Sequence, residues 1–412
     1  MKFFLYGAFD RHNYGDLLFP MVMERLIKGV YPTTEVFTCG LVESNLTDVG
    51  ALETISAKSM MAEMDENSVL MLAGGDVIGC DWVSAYSYLL SESMSRVVES
   101  YIARFFPSLT RAFICSRMGL KSPFPFTVPK SLLPAGSSVV YNSAGATSLS
   151  SLSDAELQQV GEALKDADFL SVRDEFSKSL TVKATSPETQ VMLAPDSVCM
   201  LSTVYDDTAI DERVSDSVKQ LVDRLNHGKG YYIFQVSGPR AVKNQQAFAK
   251  ALDSLFERTG VPVVFLAIGN AAGHEDSVGI ASVKALLSEK TECAVYDEGN
   301  VYDTIYLLKH AACYMGTSLH GVITSIAYNT PRVGILTVRK QINYMNAWDL
   351  EGMPRDVAPA NIPDAVEKAV SFSEEQLMAV RNQCVSVYQE HFSIMADKLG
   401  LGAPDFSLFN RS

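Results

Sequence analysis

The stretch Gly316-Thr317-Ser318-Leu319-His320-Gly321 lies between the apolar run Ala311-Ala312-Cys313-Tyr314-Met315 and the amphipathic run Val322-Ile323-Thr324-Ser325-Ile326-Ala327-Tyr328. The first run reads as a short buried strand and the second as a helix, which puts His320 in the first helical turn. Strand, glycine turn and helix in this order are the repeating piece of an open parallel sheet, where ligands bind at the carboxyl ends of the strands. A helix start also offers N–H groups and about half a positive charge, which suits an anion held by Gly316, Thr317 and Ser318.

The same alternation continues outward from this turn. Strands are expected at Lys2–Tyr6, Ser68–Leu72, Ser137–Tyr141, Asp168–Val172 and Gln190–Leu193, and again at Tyr231–Val236, Pro262–Ala267, Cys293–Tyr296, Ala311–Met315 and Arg332–Thr337. Helices are expected after the loop Gly7–Asp16, near Val83–Ala103, from the capping-box sequence Ser153-Asp154-Ala155-Glu156, and near Arg240–Arg258, Glu275–Ser288, Val301–Lys309 and Ile362–Phe372. A last helix opens at a second capping box, Ser373-Glu374-Glu375-Gln376, and runs to about Leu399. Strands alternating with helices mean βαβ units and parallel sheets. The expected fold is α/β, with two Rossmann-like doubly wound lobes, a cleft between them and a C-terminal helix. Because the apolar pattern lapses over Ser202–Glu212, the lobes are taken as 1–205, carrying an elaboration at about 82–134, and 206–372, followed by a helix and tail at 373–412.

A chain of 412 residues suits two or three domains, and 47% hydrophobic residues suffice for a core in each. The net charge of −14 argues against nucleic acid or an anionic membrane surface as the main partner, although an acidic shell can hide a local basic site. Cys39, Cys80, Cys115, Cys199, Cys293, Cys313 and Cys384 are scattered without C-x-x-C or zinc spacing, so a reducing compartment and no structural metal are expected. The apolar start is broken at once by Asp10, Arg11 and His12, and no later run approaches the length of a membrane span, so a cytoplasmic protein is expected.

Polar residues at the strand ends are the candidates for chemistry, and each has a plain structural alternative. Asn13-Tyr14-Gly15-Asp16 is either a turn with an N-cap or part of a site. Gly74 and Gly75, before Asp76, let a backbone approach a ligand closely, but the G-x-G-x-x-G dinucleotide spacing is absent. Arg173-Asp174 is a local ion pair, or else the fork of Arg173 is open to a carboxylate or phosphate. Asp196 ends a strand, Arg339 and Lys340 form a polar turn, and the segment from Gly269 to Asp276 carries His274. The aromatics of Ser122-Pro123-Phe124-Pro125-Phe126 either stack on a sugar or pack as an ordinary loop. His320 itself either works as an acid or base, or packs inside a helix start.

Taken in order, these segments resemble the polysaccharide pyruvyltransferase family, whose fold is like that of the two-lobed GT-B glycosyltransferases. The strongest match is Gly316–Gly321 with Ala327-Tyr328-Asn329-Thr330-Pro331-Arg332-Val333-Gly334-Ile335, similar to the family's S-R-L-H-G helix and G-x-P-V strand. Asn13–Asp16, Gly74–Asp76, Ser171–Asp174 with Ser177, Ala194-Pro195-Asp196, Asp276 and Lys340 support it. The resemblance implies transfer of pyruvyl from phosphoenolpyruvate, as co-substrate and with no other cofactor, to two hydroxyls of a saccharide acceptor. The product is a cyclic ketal on a capsule, exopolysaccharide or similar precursor, and the resemblance implies peripheral association with a membrane-bound assembly system. His320 and Asp16 are then the catalytic candidates. Arg173, Lys340, Arg339, Thr317, Ser318 and Gly316 bind the anionic donor; Asn13, Gly74, Gly75, Asp76, Asp196 and Asp276 face the acceptor or cleft. One departure stands out: Ser318 occupies the position where the family commonly has arginine, so either another Arg or Lys, such as Arg117 or Arg332, supplies the charge or the donor differs. A GT-B glycosyltransferase using a nucleotide sugar and a non-catalytic saccharide-binding relative are the alternatives.

Overall fold

A computed structural model of the chain describes residues 1–90, 92–98, 102, 105–225, 229–269 and 276–409, so His274 lies outside the described residues. The chain divides into two compact units: residues 1–12, 16–197 and 387–412, and residues 13–15 with 198–386. This differs from the expected boundaries in two ways. The change of unit falls at Ser197/Val198 rather than 205/206, and the C-terminal helix Glu374–Lys398 contributes to both units instead of standing as a separate piece.

The first unit holds an eight-stranded sheet in the order β3-β4-β2-β1-β5-β6-β7-β8. Its strands are β1 (Lys2–Tyr6), β2 (Glu35–Gly40), β3 (Ser44–Asn45), β4 (Glu53–Ser56), β5 (Ser68–Leu72), β6 (Ser138–Ala144), β7 (Phe169–Val172) and β8 (Met192–Leu193). All pairings are parallel except that of β3 with β4. Phe3, Phe4, Leu5 and Tyr6 of β1 are buried throughout, as both faces of a central parallel strand require. The order reverses at β1 and β5, so the carboxyl ends of these strands frame the switch point of the sheet. β6 carries a register break between Tyr141 and Ala144, with Ser143 at a φ of 48°, and this bulge redirects the chain into Gly145.

The second unit holds a five-stranded parallel sheet, β11-β10-β9-β12-β13, built from β9 (Tyr232–Gln235), β10 (Val263–Leu266), β11 (Cys293–Tyr296), β12 (Cys313–Gly316) and β13 (Arg332–Gly334). Its reversal lies between β9 and β12, where Gly316 stands in register with Gln235. The expected strand Arg332–Thr337 stops at Gly334, because Leu336 adopts a left-handed φ of 58° that no extended strand accommodates.

Both expected capping boxes form. Ser153 and Glu156 exchange bonds at the start of Asp154–Lys165, and Ser373 and Gln376 do so at the start of Glu374–Lys398. In the elaboration after β5, the long helix expected near Val83–Ala103 is replaced, among the described residues, by the short helices Trp82–Ser87 and Glu92–Val97, and a further helix spans Pro107–Met118. Phe124 and Phe126 are buried in the core of the first unit, which settles them as packing residues rather than a sugar platform.

Candidate active site

The site is clearest in the second unit, where β12 runs into the helix Leu319–Ala327. Tyr314, in β12, turns its phenol under the loop. A Cβ added at Gly316 or at Gly321 would stand 2.2 Å or 2.3 Å from the Tyr314 hydroxyl, so both glycines are required by this one ring. The hydroxyl lies 3.2 Å from Gln235 Oε1 and 3.3 Å from the Ser318 carbonyl, to either of which it donates.

Gln235 organises the turn. Its Oε1 accepts from the N–H of Thr317 at 3.1 Å and of Ser318 at 2.9 Å, and its Nε2 donates to Asp276 Oδ2 at 2.9 Å. The expectation that Thr317 and Ser318 present N–H groups to an anion is therefore corrected, since a buried side-chain amide already takes both. Asp276 Oδ2 also accepts from the backbone of Ile268 and Gly269, while Oδ1 is buried with no hydrogen-bond partner among the described residues. Burial pushes the Asp276 carboxyl up to about 7, against the lowering effect of these hydrogen bonds. It sits beneath the turn as a support, not on an open acceptor surface.

Ser318 caps the helix, its Oγ accepting from the Gly321 N–H at 3.3 Å. A hydroxyl here answers a local need that an arginine would not. Of the substitute cations, Arg332 does not fill the gap in this turn: it is fully buried, with a two-pronged pairing to Asp349 and a bond to the Thr330 carbonyl. Arg117 is exposed on the helix Pro107–Met118 of the first unit.

His320 lies beside the loop Asn13–Gly15, which belongs to the second unit although the chain on either side of it belongs to the first. A Cβ on Gly15 would stand 1.9 Å from His320 Nδ1, so only glycine leaves room for the imidazole here. The loop is held by an antiparallel bridge from Asn13 to Gly269, by the Tyr14 N–H donating to the Ile268 carbonyl at 3.1 Å, and by a 2.9 Å bond between Tyr14 OH and Thr324 Oγ1. Asn13 itself accepts from the Gly15 N–H at 3.1 Å, which fixes the local turn.

Arg339 and Lys340 are not a free turn but the first residues of the helix Arg339–Trp348, and both are exposed. From the same helical turn Gln341 donates to the carbonyls of Gly316, at 2.9 Å, and Ser318, at 3.1 Å. Two cations at the positive end of a helix oppose its dipole, so this end attracts anions strongly.

The remaining candidates gather in the first unit. Arg173 is buried and pairs with the fully buried Asp196, Nη1 to Oδ2 at 3.1 Å. Asp196 is a partner that neither sequence alternative for Arg173 names, and it engages Nη1 of the fork. Asp174 caps the helix Glu175–Ala184 through the Ser177 N–H. Despite the opposing effect of burial, the carboxylates of Asp196, Asp76 and Asp174 hold the guanidinium above its ordinary pKa. A Cβ on Gly145 would stand 2.8 Å from both Arg173 Nη2 and Asp76 Oδ1, which brings these two side chains to one point at the bulge of β6. Asp76 Oδ1 accepts from the Thr147 N–H at 2.9 Å. Gly74 and Gly75 take φ values of 137° and 88° that require glycine, and Asp16 Oδ1 approaches the Cβ direction of Gly75 at 4.0 Å.

Sequence reasoning passed over Gln235 and Gln341, the two amides that fasten the His320 turn. Gln235 carried a signal, as a polar residue closing the apolar strand Tyr232–Gln235. Gln341 carried none, being one polar residue among several in its helix.

Two α/β units, each with a sheet whose strand order reverses, form a GT-B-like fold, and solved structures share it. The UDP-GlcNAc 2-epimerase from Methanocaldococcus jannaschii, in complex with UDP-GlcNAc and UDP, matches at a TM-score of 0.55 with 10% identity, over 95% of this chain and 100% of that one. The UDP-N-acetylglucosamine 2-epimerase from Rickettsia bellii matches at 0.55 with 12% identity, over 97% and 96%. Anabaena Alr3699/HepE in complex with UDP-glucose matches at 0.52 with 9% identity, over 100% and 97%. No curated protein matches the sequence. The family described as polysaccharide pyruvyl transferase matches residues 13–337, and the chain belongs to that family, a family of transferases.

Proposed function

We propose that this protein transfers the pyruvyl group of phosphoenolpyruvate to two hydroxyls of a sugar or polysaccharide precursor, forming a cyclic ketal and releasing phosphate. The reading is supported above all by one juxtaposition: the His320 ring against Gly15, in a turn tied by Gln341 to the helix start that carries Arg339 and Lys340. Addition of a hydroxyl to the enol carbon needs a proton delivered to the methylene, and a histidine is suited to hold that proton near neutral pH. The donor's carboxylate and phosphate need cations, and Arg339 and Lys340 supply them in place of the family arginine at Ser318. Seven cysteines, none of them in a disulfide, accord with action in the cytoplasm, on a precursor of capsule or exopolysaccharide.

Incubation with phosphoenolpyruvate and a panel of sugar acceptors should release phosphate and leave an acid-labile ketal on the acceptor. His320→Ala should lose about 10²–10⁴-fold in turnover with an unchanged melting temperature. Turnover near that of the unmodified protein would remove His320 from the mechanism. The vacancy left by arginine at Ser318 favours one second reading, in which a nucleotide sugar is the donor. UDP release from UDP-glucose or UDP-GlcNAc, with no phosphate released from phosphoenolpyruvate, would establish it.

A further inference from the structure

The helix Pro107–Met118 turns Thr110, Ile114 and Met118 inward, yet its outer side is not polar. Leu109 is 70% exposed and Phe113, one turn on, is 63% exposed, while Phe105 and Phe106 just before the helix are 67% and 59% exposed. Among the described residues these are the four most exposed large apolar side chains. Single exposed apolar residues are ordinary, but several large ones on one short segment mark a binding surface.

Charge decides what binds there. In a chain of net charge −14, residues 100–153 contain no aspartate or glutamate but do contain Arg104, Arg111, Arg117, Lys121 and Lys130. Arg111 and Lys130 are engaged within the unit, by the Pro123 carbonyl and by Asp168. Arg117 and Lys121 are exposed, and Lys58 lies against the backbone of Gly119 beside them. Leu109, Phe113 and Arg117 fall at i, i+4 and i+8, so one helical stripe carries apolar groups and ends in positive charge. An isologous second copy would bring this basic face against itself. An anionic lipid surface meets both halves of the stripe, taking the aromatic rings below its headgroups and the cations among them.

We propose that this face docks the protein peripherally on an anionic membrane. No described helix is long and apolar enough to cross a membrane, so the contact lies in the interface. The proposal is independent of the identity of the donor. It places a local exception on a protein whose overall acidity argues against such a partner.

The test is co-sedimentation of the full chain with vesicles of phosphatidylcholine alone and with vesicles of phosphatidylcholine and phosphatidylglycerol in equal parts. Retention is expected on the anionic vesicles, weakening with added salt. Leu109→Ser with Phe113→Ser should reduce it by more than about tenfold. Arg117→Glu with Lys121→Glu should reduce it by about fivefold for each charge removed or more, and leave behaviour on neutral vesicles unchanged. Val278→Ser, at an exposed apolar residue of the second unit, should have no effect. All the substituted side chains are exposed, and unchanged melting temperatures would show that the variants fold. The proposal fails if neither vesicle retains the protein or if the serine variant binds as before. It also fails if, without vesicles, the chain forms dimers that the serine substitutions dissolve, which would assign the face to a second copy.

Discussion

The two units present the same architecture at their strand ends but hold it with opposite chemistry. In the first, a buried ion pair, Arg173 with Asp196, stands beside Asp76 at the β6 bulge. In the second, a neutral amide, Gln235, receives the N–H groups of the His320 turn and donates to a carboxyl that burial keeps protonated to about pH 7. A buried ion pair is indifferent to pH over the neutral range and fails badly if one partner is removed. A buried neutral network tolerates the loss of a partner better but acquires a titration of its own. One topology therefore yields two sites with different vulnerabilities.

The largest consequence is expected in the first unit. Arg173→Met removes the cation that a fully buried Asp196 faces, and should destabilise the protein by about 3–5 kcal/mol in denaturant unfolding. Adding Asp196→Leu should restore most of that loss. If the double variant is no more stable than the single one, the ion pair is not what sets this unit apart.

Asp276 gives the next effect, and its sign is opposite to that of an ordinary paired carboxylate. The folded carboxyl keeps its proton to about pH 7, whereas an unfolded one releases it near 3.8. Between these values the folded state binds the extra proton, so stability falls as pH rises and the loss is complete above about 7. The contribution is up to about 4 kcal/mol. Asp276→Asn preserves an acceptor for Gln235, Ile268 and Gly269 and should flatten that descent in melting temperature against pH. A descent that survives the substitution would place the titration elsewhere.

Smaller effects probe the turn itself. Gly15→Ala drives a methyl into the space of His320 Nδ1, and because the imidazole can swing aside, turnover should drop by about a hundredfold with little change in stability. Ser318→Ala removes the cap on the His320 helix and should cost about 0.5–2 kcal/mol, read from chemical denaturation. A much larger loss of activity than of stability in Ser318→Ala would give the hydroxyl a part in binding beyond capping.

The parallel core was legible in the sequence because its strands are buried on both faces and read as unbroken apolar runs. Lys2–Tyr6 and Ser68–Leu72 match their sequence readings to the residue, and so does the partly buried edge strand Cys293–Tyr296, whose four residues are all apolar. β3 and β4 escape the sequence reading because they are short, half-exposed strands at the sheet edge, and β2 because Glu35 and Thr38 interrupt its apolar residues and its first half is not buried. The glycines of the His320 turn were visible, but the Tyr314 ring that requires them was not. The charge of Arg173 is legible in the sequence, but its pairing with Asp196, on the loop after the next strand, is not.

By itself the sequence determined the alternation of strands and helices, the capping boxes and the position of His320 at a strand-to-helix turn, because each follows from periodicity or from residues within one turn of each other. Tertiary structure decided which polar groups are spent on the fold and which stay outward. Arg332 and Arg173 are consumed by buried carboxylates, the N–H groups of Thr317 and Ser318 by Gln235, and Arg339, Lys340 and the Leu109–Phe113 stripe are left exposed. That division depends on partners distant in sequence, and hydrogen bonding and burial between such partners leave no periodic trace along the chain.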